Sequence, residues 1–136
     1  MTPEQPVVRD TAAMIAGMQP ALQEGAWVFR SFETAAEAAP HLARARAMYL
    51  EVEGISLILP GDGSDAMAMA CITLEVHSAL DGVGLTAAVA TALTEAAIPC
   101  NMVAAYHHDH VFVPLAKAEA AMTTLLALSA RAREAR

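Results

Sequence analysis

Hydrophobic and polar positions change period along the chain, and each change marks an element. In residues 71–77, Ile72, Leu74 and Val76 alternate with Thr73, Glu75 and His77, the period of two that sends successive side chains to opposite faces of a strand. Past 78–84, Leu85, Ala88, Val89, Ala92, Leu93 and Ala96 recur at helical spacing. That stripe predicts a helix ending near Ile98-Pro99, since proline cannot continue one. A strand is expected over 100–105, a turn over 106–109 and a strand over 110–114. A last helix is expected over 116–128, with Met122, Leu125 and Leu126 inward. The second half therefore reads β-α-β-β-α.

The first half carries a weaker version of the same order. Asp10 is a plausible N-cap for a short helix whose Met14, Ile15 and Met18 share a face, and Pro20 closes it. Ahead of it, residues 1–9 are rich in proline and charge and read as a loosely attached extension. Ala26, Trp27, Val28, Phe29 and Arg30 predict a first strand. The alanine-rich stretch 34–47 is interrupted by Pro40, so it is either a helix broken there or a loop with one helical turn. Met48, Leu50 and Val52 then alternate with Tyr49, Glu51 and Glu53, and Gly54 separates them from 55–59. Two strands joined across Glu53-Gly54 make a tight hairpin. Residues 60–65 predict a solvated turn without calcium-loop spacing, and 66–70 a helical stub. Two such units predict an α+β, ferredoxin-like protein with antiparallel sheets and helices on one face.

Composition narrows the class. The 136 residues suit one domain or two small modules sharing a core. Hydrophobic residues make up 56% of the chain and mean hydropathy is +0.40, which predicts apolar surface buried in an oligomer. No apolar run approaches the roughly 20 residues of a membrane-spanning helix. The N-terminal residues lack the basic-then-apolar pattern of a signal peptide, so cytoplasm is expected. A net charge of −7 argues against a nucleic-acid partner, which requires a basic face. Arg131, Arg133 and Arg136 read as a solvated helix end, and Cys71 and Cys100 as core residues.

Three groups of residues invite chemistry. A strand running through a small-residue loop into a helix places unpaired N–H groups and a favourable dipole where a carboxylate can sit. Gly82, Val83 and Gly84 are the candidate donors. Alternatively, Gly82 and Gly84 only let the chain turn sharply onto the sheet. Asp81 is the expected N-cap. His107, His108, Asp109 and His110, with His77, are residue types that bind zinc, iron or nickel. Neighbours in a hairpin point in alternate directions, however, so at most two converge without help. The structural alternative has Asp109 shaping the turn and His110 bonding across the sheet. His77 and Ser78 are adjacent in sequence, which makes no nucleophile–base pair, and no buried acid pair is visible. No enzyme, catalytic residue or cofactor is expected.

The runs 72–78, 83–88 and 98–104, with Tyr106-His-His-Asp-His110-Val-Phe-Val-Pro114, resemble a family of small bacterial proteins built from two ACT-like modules. The likeness extends through Met18-Gln-Pro, Leu22, 25–29 and 53–57, covering about 18–128. The second half is also similar to modules of tandem-ACT amino-acid sensors. This resemblance implies a ferredoxin-like ACT fold divided into an extension (1–18), a degenerate first module (19–69), a second module (70–130) and a tail (131–136). It implies a non-catalytic regulatory module that binds a small amino acid at a module or subunit interface, as a homodimer, and acts on an enzyme or regulator in trans. The expected ligand residues are Ser78, Asp81, Gly82, Val83, Gly84, Asp109 and His110. Ala79, Asp81-Gly82 and Cys71 depart from the family pattern and bear on ligand identity more than on fold. The alternatives are a ligand-free interaction dimer and a histidine-dependent metal protein.

Overall fold

A computed structural model describes residues 5–135; Met1–Glu4 and Arg136, part of the stretches read as extension and helix end, lie outside the described residues. Along the chain run α1 (Thr11–Ala16), β1 (Pro20–Leu22), β2 (Ala26–Phe32), α2 (Ala35–Ala38), β3 (Ala47–Leu50), β4 (Ile55–Gly61), β5 (Met69–Leu74), α3 (Leu85–Glu95), β6 (Asn101–Ala104), β7 (Asp109–Pro114) and α4 (Ala118–Glu134). They form two compact units. One joins the chain up to Gln23 with everything from Ala70 onward, and the other is Glu24–Met69.

In the first unit, β5 has β7 along one edge, and β6 pairs antiparallel with β7 from Asn101↔Phe112 to Ala104↔Asp109. Its other edge is covered from the N-terminal side of the chain. β1 pairs antiparallel with it from Pro20↔Leu74 to Leu22↔Ile72, and the N–H groups of Glu75 and Val76 donate to the carbonyls of Gln19 and Met18. A lone β-α-β-β-α unit leaves this strand edge unpaired, which is costly for buried backbone groups; the N-terminal segment satisfies it.

Helix α4 packs against α1 and α3, because the apolar stripes of the three meet over one core. Met14, Met18, Ile72, Leu74, Val89, Leu93, Val111, Val113 and Leu125 are all but inaccessible there. Leu126, expected inward, is exposed, and α4 continues beyond 128 to Glu134. Buried Ser129 donates to the Ala16 carbonyl at the end of α1 (2.8 Å), and Arg133 Nη1 donates to the same oxygen (3.1 Å) and to Ser129 Oγ (2.8 Å). Arg133 is exposed, as expected of a helix end, and also caps another helix. Of the three residues that alternate with Ile72, Leu74 and Val76, Thr73 and His77 are buried and Glu75 is exposed. Cys71 is buried in β5. Cys100 sits half-buried just before β6, where burial pushes its thiol pKa up.

In the second unit, β2 and β4 pair antiparallel from Ala26↔Gly61 to Phe32↔Ile55, and β3 adds to β4 from Ala47↔Ile58 to Leu50↔Ile55. The β3–β4 hairpin closes through Glu51 N–H to the Gly54 carbonyl (2.9 Å), at the turn expected from Glu53-Gly54. The stretch around Pro40 is α2 followed by a 3₁₀ turn over Ala39–Arg44, the broken helix that a mid-helix proline produces. Val28, Ala38, Leu57 and Leu59 form a small core. The helical stub expected at 66–70 is absent. Residues 65–68 form a turn closed by Ala68 N–H to the Asp65 carbonyl (3.0 Å), and β5 begins at Met69.

Candidate functional site

The link between β5 and α3 carries the densest set of distant contacts in the first unit. Ser78 pairs in parallel with Val8, through Val8 N–H to the His77 carbonyl and Ala79 N–H to the Val8 carbonyl, each 2.8 Å. The buried His77 ring donates from Nδ1 to the Gln5 carbonyl (3.1 Å). Arg9 Nε donates to Asp81 Oδ1 at 3.0 Å, both side chains being largely exposed. Thr11 Oγ1 donates to the Val83 carbonyl. From the hairpin side, Ser78 Oγ donates to Asp109 Oδ2 (3.0 Å) and His108 Nδ1 to the Val76 carbonyl (3.4 Å).

Gly84 explains part of the loop's composition. It is left-handed (φ 105°), and a Cβ there would lie 2.6 Å from Thr11 Cγ2. A side chain would therefore meet both backbone strain and the first turn of α1. A Cβ on Gly82 would meet the Ala79 carbonyl at 3.0 Å and the Met14 Cε at 3.1 Å.

Beside the loop lies an open cleft of about 250 Å³ lined by Val7, Arg9, Tyr106 and residues 77–81. Of the expected site residues, Ser78 and Asp81 line it. Asp109 reaches it through Ser78. Gly82, Val83 and Gly84 do not line it: the two glycines approach Met14 and Thr11 of α1, and the Val83 side chain is exposed. The N–H of Gly82 is bonded to the Ala79 carbonyl (2.9 Å), which removes one donor from the expected cradle. Asp81 does not cap α3: the N-cap is Gly84, without a side-chain hydrogen bond, because Asp81 sits three residues too early and turns to Arg9. His110 shares a 2.9 Å hydrogen bond with Thr73, whose hydroxyl also accepts from Gln23 Nε2 (3.0 Å). This is the cross-sheet role of the structural alternative.

His77, Tyr106, His107 and His108 form a chain of aromatic rings. His77 and His107 lie 5.2 Å apart between centroids, and Tyr106 meets His107 edge-on at 4.9 Å. Among the described residues, no group of three His, Cys, Asp or Glu side chains converges as a metal site. Sequence reasoning missed Val7, Arg9 and Tyr106. The available signal was the β-branched pair Val7-Val8 just ahead of Arg9 and the cap Asp10, which suits a short strand docking on a sheet edge.

Family comparison agrees with this architecture. Two ACT-domain models match in tandem, over residues 6–73 and 68–127. A Vibrio cholerae protein of unknown function, described as a possible transport protein, is 36% identical and covers 84% of this chain and 92% of its own, with a TM-score of 0.71. An Agrobacterium tumefaciens protein is 18% identical over 81% of this chain and 87% of its own, with a TM-score of 0.63. The ligand-free regulatory subunit of aspartate kinase from Thermus thermophilus is 10% identical over 80% and 95% of the two chains (TM-score 0.57). These last two share the fold. No curated protein matches the sequence.

Proposed function

Because the chain belongs to the ACT-domain family, we propose that it is a non-catalytic regulatory module that binds a small amino acid in the cleft beside the β5–α3 loop. The observation that carries the reading is the Ser78–Asp109 hydrogen bond, which ties the loop to the β6–β7 hairpin at the cleft. One carboxylate and one hydroxyl held together at a small cavity suit an ammonium-bearing ligand. The module acts in trans on an enzyme or regulator, and its two free thiols suit a reducing cytoplasm.

Thermal melting of the full chain with each proteinogenic amino acid tests this. At a hundredfold excess over Kd, a ligand of the native state adds about 2.7 kcal/mol, a shift of several degrees. Asp109→Ala removes that shift. Absence of a shift with every amino acid sinks the proposal.

A second reading, an interaction dimer, is favoured by the exposed Met48, Tyr49 and Leu50 of β3 and the fully exposed Val52 beyond it. Apolar side chains along a strand are suited to a protein partner. Light scattering that finds only monomer at micromolar concentration removes the homodimer form of it.

A further inference from the structure

We infer that the N-terminal segment supplies the group that holds the ligand's carboxylate, with Arg9 and Asp81 acting together as a clamp for a zwitterion. The inference rests on the amino-acid reading above and changes which atoms do the binding. The loop N–H groups are the obvious anion donors, but Ala79 N–H is bonded to Val8 and Gly82 N–H to Ala79. With those two occupied, a charged side chain is the stronger donor for an anion in the cleft. Arg9 is the single lysine or arginine in its lining, in a chain whose net charge is −7.

Only the Nε of Arg9 is engaged, by Asp81. Among the described residues its other guanidinium N–H groups have no partner, and they present the planar fork that binds a carboxylate bidentately. Asp81 adjoins it at 3.0 Å, so a positive and a negative group stand side by side. The α-carboxylate and α-ammonium of an amino acid are arranged in the same way. Beyond the pair the lining is Val7, His77, Ser78, Ala79, Leu80 and Tyr106, with no further carboxylate, lysine or arginine, and the volume of about 250 Å³ falls below the roughly 300–1,000 Å³ of drug-sized sites. The ligand class is a small amino acid with an uncharged side chain.

The Val8 hydrogen bonds to His77 and Ala79 hold Arg9 in place. Val7 and Arg9 thus form one wall of the site.

Calorimetric titration of the full chain with L-serine, L-valine, L-leucine and L-methionine tests the clamp, with the methyl ester of whichever binds best. Arg9→Ala weakens the free acid by about tenfold or more, while Arg9→Lys retains part of the affinity. The ester, lacking the carboxylate charge, binds weakly to the natural chain, and acid and ester bind alike to Arg9→Ala. That last equality is not produced by a merely structural arginine. Unchanged affinity in Arg9→Ala, or acid-over-ester preference persisting in it, overturns the clamp. If Asp109→Ala still abolishes binding in that case, the amino-acid reading survives without Arg9. No binding by any of the four to the natural chain overturns the clamp itself, and the wider amino-acid melting screen then decides the reading beneath it.

Discussion

Each unit has a strand that leads into a helix, and the two junctions are closed in opposite ways. Between β2 and α2, Thr34 Oγ1 accepts from Glu37 N–H (3.2 Å), three residues away. The stretch 62–67 is equally local, with Ser64 bonded to Asp62 and Met67 N–H to Asp65 Oδ1, while the lead into β3 is held by Arg46 N–H on the Ile58 carbonyl. Between β5 and α3, the partners of His77, Asp81 and Val83 lie 72 residues away, and that of Ser78 lies 31 away. A junction that satisfies itself has no polar groups to offer. A junction held by two distant segments brings their side chains to one place, which a binding site requires.

The largest effect separating the two follows from a pair of glycines with nearly the same backbone. Gly25 and Gly84 are both left-handed, at φ 98° and 105°. A Cβ on Gly25 meets nothing within 4 Å, whereas one on Gly84 meets Thr11 Cγ2 at 2.6 Å. Gly25→Ala therefore carries only the conformational penalty, about 1 kcal/mol. Gly84→Ala adds displacement of α1 and costs about 3 kcal/mol. Urea denaturation of the two variants measures the difference. Equal losses would mean that the loop does not approach α1.

The caps give a smaller contrast. Thr34→Ala removes a side-chain cap and costs about 1 kcal/mol. Asp81→Ala removes an exposed ion pair and costs less than about 0.5 kcal/mol, because Asp81 caps nothing. A loss of 1 kcal/mol or more from Asp81→Ala in the same denaturation series would restore the N-cap role that its sequence position suggests.

Alternation in 71–77, the helical stripe of 85–96 and the proline at 40 made most elements legible in the sequence. These patterns arise from local sterics and one-sided burial, which neighbouring residues report. The resemblance carried by Ile72-Thr-Leu-Glu-Val-His-Ser78 and Tyr106-His-His-Asp-His110 added the family. Asp81 was misread as a cap because a cap is the local use of an aspartate before a helix, and its partner Arg9 is remote. Residues 5–9 were misread for the same reason: proline and charge look loose until a strand edge is available. The 66–70 stub failed although Ala and Met are good helix formers, because propensity is a weak prior and strand pairing from Met69 onward overrides it. The site's long-range half was hidden; its loop was not.

The smallest effect concerns the self-contained turn of the second unit. The Ser64 hydroxyl, at 2.6 Å, and the Ser64 N–H, at 2.9 Å, both donate to Asp62 Oδ1. They favour the carboxylate and hold the Asp62 pKa below its ordinary 3.8, the hydroxyl contributing most. A pKa lowered by folding stabilises the native state above the unfolded value, and that contribution is lost as pH falls through the folded value. Ser64→Ala removes the hydroxyl and leaves the N–H. The Asp62 carboxyl then titrates higher, but still short of the ordinary value, in a carbon-detected NMR titration. The stability gap between the natural chain and Ser64→Ala narrows over the same acid range and is flat at neutral pH. An unshifted Asp62 titration in Ser64→Ala would mean that this turn, too, depends on something outside itself. The contrast between a locally closed unit and a remotely closed loop would then fail at its simplest point.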